Sequence, residues 1–395
     1  MKRASVSVVV ILLLVTAGCG GNKHSTDDII KIDVTKSYPK KELILQDVFD
    51  VEYIALETND EFVTSGEIWN IGKDIIIVRN RSMDEDIIIF DRKGKGLRKI
   101  NRKGQGPEEY NVTLATVLDE DNNEMFVFSI MPSRMLVYDL FGNFKRRLEI
   151  EGRNDNFYLL ANFDRNHLIF HNQLYRVVDG HIEGPRNQFF IMNKQDGSIT
   201  KEIEIPFIEK KWTIVAAGER NTSVARNLKL IPHSNWIIAE ASSDTIYSIL
   251  PDYSLVPIIA RTPSIQSMNP EVFLFPSIFT DRYYFMQTVK KEYNFSTRTG
   301  WPGIDLVYDR QEGAIFEYIV YNDDFLSKKS VKLSLERPIA IPIPNNEIAF
   351  LNTFEAYELV EAYKNGELKN GKLKEIASKL DEEDNRVIMI AKYKR

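Results

Sequence analysis

The sequence predicts an all-β fold, a six-bladed β-propeller with a small helical insertion in its last blade. Short apolar segments recur along the chain at the spacing of propeller blades. Each end of the folded region also holds one strand that has no sheet of its own nearby. A ring that pairs these two strands explains both observations, because pairing removes two exposed sheet edges.

The repeated unit is a set of short strands separated by turns. Six β-branched or aromatic segments follow turn-forming residues, and their starts are about 43 to 68 residues apart. They begin at Asp74, Glu124, His167, Asn235, Arg282 and Asn346. After each of the first five, a second apolar strand ends in a turn and a third strand returns. Sheets of this kind do not bury both faces alone, so we expect them to stack around an axis.

The two ends of the folded region differ from the repeat. Apolar spacing of three and four residues predicts two short helices, one from Glu355 and one from Leu373. A last strand, Val387–Tyr393, has no hairpin partner behind it, and Val48–Glu57 alternates like a strand without a sheet. We therefore predict that these two strands pair and that the propeller spans residues 41–395.

The N-terminus is predicted to lie outside the fold. Positive residues precede the short apolar run Val8–Val15, which is too short to span a bilayer comfortably and is typical of a secretory signal. Small residues then lead to Cys19, so the segment resembles a bacterial lipoprotein signal. That resemblance implies a signal peptide at 1–18, a lipid on Cys19 and a tether at 19–40. An unprocessed helix with a buried cysteine is the alternative.

Composition excludes several classes of function. The formal net charge is -6 and the positive residues are scattered, so no nucleic-acid partner is expected. Cys19 is the one cysteine of the chain, which excludes a thiol-based active site and requires an exported protein to be held together by packing.

The segment 100–110, INRKGQGPEEY, resembles a phosphate-binding loop only superficially. It meets neither glycine spacing of the nucleotide-binding motifs, since Pro107 and two glutamates follow Gly106. It follows the outer strand of the first blade and precedes the next blade, so we interpret it as a turn between them.

Candidate catalytic and metal-binding residues are few. His167 and His171 mimic a zinc pair, but in a strand their spacing places them about 13 Å apart. The acidic segment that begins at Asp119 lacks the glycine and the last glutamate of a calcium loop. We therefore expect no metal and no cofactor, and no catalytic residue is assigned.

Trp301 is the one candidate ligand-binding residue, and a weak one. It lies between glycines outside the periodic strands, where an indole can stack on a sugar or anchor a partner. Packing over a neighbouring blade is the alternative.

Several motifs together resemble a known family. The lipoprotein signal, FDRKG at 90–94, GQGPEEY at 104–110, SDTIY at 243–247 and DEEDNRVIMIAKYK at 381–394 resemble the six-bladed β-propeller lipoproteins of Gram-negative gut anaerobes, distant relatives of NHL-repeat propellers. The resemblance covers roughly residues 40 to 395, and Arg386 stands where that family usually has proline. It implies an architecture and an outer-membrane location, facing the periplasm or the cell surface, with little chemistry.

Two functions follow as expectations. The first is a membrane-anchored, non-catalytic module that binds or scaffolds an envelope protein or glycan, because no catalytic constellation is evident. The second is a lyase or hydrolase whose active site lies at the mouth of the central channel, built from one residue per blade. Convergence of acidic, histidine, tyrosine and arginine side chains at that mouth favours the enzyme. The ligand and the oligomeric state are left open.

Overall fold

The computed structural model describes residues 29–80, 85–148, 157–172, 174–225, 227, 229–333 and 347–394, with the backbone alone for 157–159. Its strands form six blades of a β-propeller, which confirms the predicted fold class. The predicted signal peptide and Cys19 lie outside the described residues.

The described chain starts with elements that join blades formed much later in the sequence. These elements are β1 (Ile30–Asp33), β2 (Lys40–Ile44), α1 (Leu45–Val48) and β3 (Phe49–Ala55).

Blades 1 to 3 each contain four antiparallel strands, which follow one another from the inner to the outer edge of the blade. Blade 1 consists of β4 (Glu67–Ile71), β5 (Ile75–Arg79), β6 (Ile87–Asp91) and β7 (Gly96–Ile100). Blade 2 consists of β8 (Val112–Asp119), β9 (Glu124–Ile130), β10 (Arg134–Asp139) and β11 (Phe144–Leu148). Blade 3 consists of β12 (Phe157–Asn162), β13 (His167–Asn172), β16 (Phe189–Asn193) and β17 (Ile199–Ile203), with the hairpin β14 (Arg176–Val178) and β15 (His181–Glu183) inserted after β13.

A second hairpin, β18 (Ile214–Ala216) and β19 (Thr222–Val224), lies in the link to blade 4. Blade 4 consists of β20 (Leu230–Ile231), β21 (Trp236–Ala239), β22 (Thr245–Ile249) and β23 (Leu255–Thr262). Blade 5 consists of β24 (Val272–Phe279), β25 (Tyr283–Lys290), β28 (Gly303–Asp309) and β29 (Ala314–Asn322), with the hairpin β26 (Tyr293–Asn294) and β27 (Thr299–Gly300) after β25 and β30 (Lys329–Val331) paired to β29. Blade 6 consists of β31 (Ile348–Phe354), β32 (Val387–Tyr393) and β3, and α2 (Ala356–Lys364) and α3 (Lys372–Ala377) connect β31 to β32.

The N-terminal strands lie along the outer edges of three consecutive blades. β1 pairs in parallel with β23, β2 pairs in parallel with β29, and β3 pairs antiparallel with β32 over its whole length. The pairing of β3 with β32 is the one expected between Val48–Glu57 and Val387–Tyr393. Residues 19–40 were predicted to form a tether, whereas Ile30–Asp33 belongs to a sheet and Ile32 is fully buried. The folded body therefore begins earlier than expected.

Each pair of neighbouring blades shares an apolar core, as the predicted stacking requires. Blade 6 packs on blade 1 through a cluster that contains Ile388 and Ile390 together with Ile88 and Phe90. Comparable clusters join blades 1 and 2, 2 and 3, 3 to 5, and 5 and 6. The apolar faces of the strands are therefore buried between blades, and loops are left to cover the two ends of the ring.

The two ends of the ring carry different connections. Because strands in a blade alternate in direction, links between blades and the turns between second and third strands emerge at the same end. We call this end the inter-blade face. It carries the three inserted hairpins, whereas α2 and α3 lie at the opposite end because they connect a first strand to a second. Among the described residues, no helix is long and apolar enough to cross a membrane.

The GQGPEEY segment forms part of the link between blades 1 and 2. Glu109 Oε2 accepts a hydrogen bond from the Gly106 amide at 2.8 Å, and Arg134 Nη1 donates to the Gly106 carbonyl at 2.7 Å. The Tyr138 hydroxyl donates to the Glu108 carbonyl at 2.7 Å. The loop is thus held by a hydrogen bond within itself and by two hydrogen bonds to blade 2, as expected of a structural turn.

Alanine substitutions at two glycines distinguish the cost of backbone strain in a turn from the cost of disrupting a contact between blades. Gly94 and Gly313 close corresponding turns of blades 1 and 5, and both have a positive φ, +86° and +62°. A Cβ on Gly94 lies 2.0 Å from the Ala55 carbonyl oxygen, whereas nothing lies within 4 Å of one on Gly313. We expect Gly313→Ala to cost about 1 kcal/mol, from backbone strain alone. Gly94→Ala should cost roughly 2 to 3 kcal/mol because β3 must also shift. Urea denaturation of both variants measures the difference, and equal losses contradict the tight contact between β3 and blade 1.

Candidate functional site

The three inserted hairpins form one continuous structure on the inter-blade face. The Tyr175 hydroxyl, just before β14, lies 3.1 Å from Thr222 Oγ1 on β19. The Trp301 indole, just after β27, donates from Nε1 to Ser223 Oγ at 2.9 Å. These contacts join β14–β15 to β18–β19 and β18–β19 to β26–β27. We call the three hairpins the rim.

Trp301 therefore lies within the rim. Its backbone has a positive φ of +57°, and its half-buried ring packs on a cluster that includes Phe273 and Phe275 of blade 5. This is the packing alternative considered for Trp301, with the indole N–H used inside the protein. A role in contacting a ligand stays a prediction.

Beside the rim, between blades 3 and 4, lies a cluster of charged side chains. It contains Arg186, which follows β15, Lys210 and Lys229 from the link to blade 4, and Glu240, which follows β21. We call these four residues the cationic cluster. All four belong to connections of the inter-blade face, so the propeller topology brings them together. Three cations face one carboxylate, which leaves a positive excess.

Lys210 occupies the centre of the cationic cluster. Its Nζ lies 3.0 Å from Glu240 Oε1, and it donates to Gln188 Oε1 at 3.0 Å and to the Arg186 carbonyl at 3.1 Å. Ser242 Oγ donates to the same Glu240 oxygen at 2.9 Å. Burial lowers the pKa of Lys210, although the nearby Glu240 carboxylate opposes that shift. The single carboxylate of the cluster is thus already engaged.

Within the described part of the chain, Lys229 has no ion-pair partner of its own. It is 8% exposed, and its Nζ donates a hydrogen bond to the Thr213 hydroxyl, 3.2 Å away. Burial lowers the pKa of Lys229 to about 8; the Glu240 carboxylate opposes the shift and the Lys210 charge adds to it. A buried ammonium group beside a neutral partner is unfavourable, and such groups concentrate at functional sites.

His171 lies next to the two lysines. Burial, and then the charges of Lys229 and Lys210, hold its pKa well below the usual value, so it is neutral near pH 7. His167, at the other end of β13, instead contacts Asp164, with Nδ1 2.9 Å from Oδ2. The two histidines of the H-x3-H pattern therefore have separate environments. Within the described ranges, no three His, Cys, Asp or Glu side chains are placed to hold a metal ion.

Aromatic rings border the cationic cluster. Phe207 and Trp212 are half-buried, and Lys210 Nζ lies 5.3 Å from the centre of each ring. The Arg186 guanidinium lies 4.0 Å from the Phe207 ring centre. The neighbouring Ile208 is 80% exposed, so this border reaches the surface of the inter-blade face. The cluster thus combines excess positive charge with an apolar border, which suits an anionic ligand that also has a carbon face.

A second buried lysine, at the opposite end of the ring, is balanced. Lys194 follows β16 and is 2% exposed; its Nζ lies 2.7 Å from Asp119 Oδ2. Asp119 also accepts from the Asn122 side chain at 2.9 Å, so the calcium-like segment is a capped turn. Comparison of the two lysines shows that burial alone does not explain the unbalanced charge at Lys229.

Polar side chains of two first strands near the axis serve the fold. Asn70 of β4 donates to the Thr116 carbonyl at 2.7 Å, and Asn162 of β12 donates to the Leu118 carbonyl at 2.7 Å. Both carbonyls belong to β8, so the amides tie neighbouring blades together. The side chains of Asn70 and Asn162 therefore hold the first strands of neighbouring blades together.

The family model described as a domain of unknown function, DUF4934, matches residues 29–392. The chain belongs to the DUF4934 family. No curated protein sequence matches this DUF4934 chain.

Solved structures show similarity to the DUF4934 chain at the level of the fold. A candidate exported protein of Bacteroides fragilis NCTC 9343 superposes with a TM-score of 0.57 at 15% identity, over 93% of this chain and 100% of the other. A DUF4221-family member from Bacteroides vulgatus ATCC 8482 gives 0.47 at 12% identity, over 87% and 96%. A virginiamycin B lyase from Staphylococcus aureus gives 0.32 at 10% identity, over 61% and 85%, too low a similarity to carry its activity across.

Proposed function

We propose that this protein is a lipoprotein of the outer membrane, similar to NHL-repeat propellers, whose propeller binds an envelope glycan or protein through its inter-blade face. The observation that carries the proposal is the rim of three linked hairpins beside the unbalanced cationic cluster. Blades 3 to 5 supply these hairpins, all at one end of the ring. Loops that a rigid scaffold holds in this way are where binding sites usually lie.

The path of the N-terminal chain supports a defined orientation. β1 runs parallel to β23, and β23, the fourth strand of blade 4, runs toward the inter-blade face. The chain therefore enters β1 from the opposite end of the ring. Ten residues, 20–29, separate Cys19 from Ile30, and ten residues span at most about 35 Å. A lipid on Cys19 would hold the helical end toward the membrane and present the inter-blade face away from it.

Site-specific photo-crosslinking in the native membrane tests this orientation. A benzophenone amino acid replaces either Ile208 on the inter-blade face or Tyr357 on α2, which are 80% and 53% exposed. We expect position 208 to capture a glycan or protein of the envelope and position 357 to capture lipid. The reverse pattern contradicts the proposal.

The anchor has its own control in the same cells. A Cys19→Ala chain should leave the membrane fraction, and both crosslinking patterns should change with it. If the variant stays in the membrane fraction, Cys19 does not carry the anchor.

A further inference from the structure

The net charge of the cationic cluster indicates which class of ligand it binds, and this inference rests on the function proposed above. Lys229 and Lys210 repel each other, and Glu240 offsets one positive charge among three. A second anion beside Lys229 would lower the excess from two positive charges to one and supply an acceptor for the remaining N–H groups of Lys229. Hydrogen bonds between ammonium groups and anions are among the stronger ones in proteins.

The surroundings limit which anion fits. Phe207 and Trp212 lie beside Lys210, and Ile208 extends the apolar border to the surface. A bare inorganic ion would use the ammonium groups alone and make no contact with the carbon faces of the aromatic border. A sugar ring that carries an acidic group meets both needs, because its C–H face packs on aromatic rings while its anion reaches the lysines.

We propose that the cationic cluster binds an anionic sugar of a glycan, with Lys229 and Lys210 holding its carboxylate or sulfate group and Phe207 and Trp212 contacting its ring. Lys229 is the main determinant, because Lys210 already pairs with Glu240 at 3.0 Å. No covalent step is involved.

Isothermal titration calorimetry on the full chain, purified in detergent, tests the proposal with defined probes. These are tetragalacturonate for a carboxylated sugar, sulfated maltotetraose for a sulfated one, maltotetraose as the neutral control and pentaglutamate as an acidic peptide. We expect one of the two anionic sugars to bind and maltotetraose not to bind. Pentaglutamate binding as tightly as the sugar would overturn the sugar class.

Matched variants locate the site. Lys229→Met should raise the dissociation constant about 10- to 100-fold, because one hydrogen bond between charged groups is lost. Lys194→Met removes another buried lysine, at the opposite end of the ring, and should leave binding unchanged. If Lys194→Met does not fold, Lys364→Met on exposed α2 serves as the control. An unchanged affinity of Lys229→Met overturns the assignment.

The pH dependence gives an independent readout. Because the pKa of Lys229 is about 8, its ammonium is lost as the pH rises through that value, and sugar affinity should fall there. Lys210, Arg186 and Glu240 also face this position, and His171 is neutral near pH 7. Lys229→Met should abolish the fall between pH 7 and 9, and persistence of the fall in that variant contradicts the role of Lys229.

The outcomes separate this inference from the broader proposal. Binding of maltotetraose together with crosslinking at position 208 overturns the anionic class and leaves the binding face in place. Absence of any sugar binding together with absence of crosslinking overturns both. Release of new reducing ends from tetragalacturonate would make the protein an enzyme and would also overturn both.

Discussion

Replacing Asn385 with alanine is expected to lower the free energy of unfolding by about 4 kcal/mol. Asn385 is 2% exposed, and its side chain makes three hydrogen bonds. Nδ2 donates to the carbonyls of Glu57 at 2.7 Å and Phe62 at 2.8 Å, and Oδ1 accepts from the Thr64 amide at 2.7 Å. These bonds hold residues 57–64, which leave β3 and lead into blade 1. Alanine leaves all three backbone groups without that partner.

Urea denaturation followed by tryptophan fluorescence measures the loss at Asn385. Asn365→Ala is the matched control, because Asn365 is exposed and its side chain bonds to Glu367 at 3.3 Å. We expect that control to lose less than about 0.5 kcal/mol. A loss at Asn385 no larger than the loss at Asn365 would show that residues 57–64 are held by other contacts.

Replacing each of two buried lysines with methionine is expected to change the free energy of unfolding in opposite directions. Lys194→Met should lower the free energy of unfolding by about 3 to 5 kcal/mol, because it strands the buried carboxylate of Asp119. Lys229→Met should raise it by roughly 1 to 3 kcal/mol at pH 7, because it removes an ammonium group that burial disfavours. Denaturation of both variants at pH 7 tests the pair.

The pH dependence of the Lys229 effect follows from the sign of its pKa shift. The pKa of Lys229 falls from an ordinary 10.5 to about 8 on folding, so between these values the unfolded chain binds more protons. The contribution of Lys229 to the free energy of unfolding of the wild-type protein therefore becomes more favourable from pH 8 to 10.5. The advantage of Lys229→Met should shrink over the same interval. A constant advantage, or a loss of stability at pH 7, would contradict an unbalanced charge at this position.

Sequence patterns predicted the middle strands well because those strands are uniformly apolar. Ile76–Val78 of β5 and Phe126–Phe128 of β9 are fully buried, and their β-branched and aromatic residues identified them. The first strands were mostly missed. β4 mixes Glu67 and Asn70 with apolar residues, and β20 has only two residues, so neither gives a clear period. The sixth predicted segment is the first strand of its blade, β31, and not a second strand.

The outer strand β1 was assigned to a tether, and β2 was not identified as a strand, for a related reason. The β1 sequence, IKID, alternates apolar with polar residues, and the β2 sequence, KKELI, begins with three polar residues, so neither is an uninterrupted apolar run. Their partners, β23 and β29, lie more than two hundred residues away, and local patterns carry no information on such pairings. The DEEDNRV motif was recognised by resemblance, and the contacts of Asn385 now give a physical reason for its asparagine.

The cationic cluster was not predicted because it is assembled from separate connections. The positive residues were interpreted as scattered surface charge, yet the half-buried Lys210 pairs with Glu240. One local signal existed: Lys229 stands between Leu228 and Leu230, and Ile231 follows Leu230. A lone lysine within an apolar run is a reason to ask what its ammonium group faces.

The placement of the N-terminal strands has a consequence for biogenesis. β3 precedes its partner β32 by more than three hundred residues, and β1 and β2 pair with strands of blades 4 and 5 that are synthesised long after them. Contacts between such distant segments slow folding and leave strand edges uncovered meanwhile. The new polypeptide must therefore be kept from aggregating until β32 is available, and a chain truncated before β32 would lack the partner of β3.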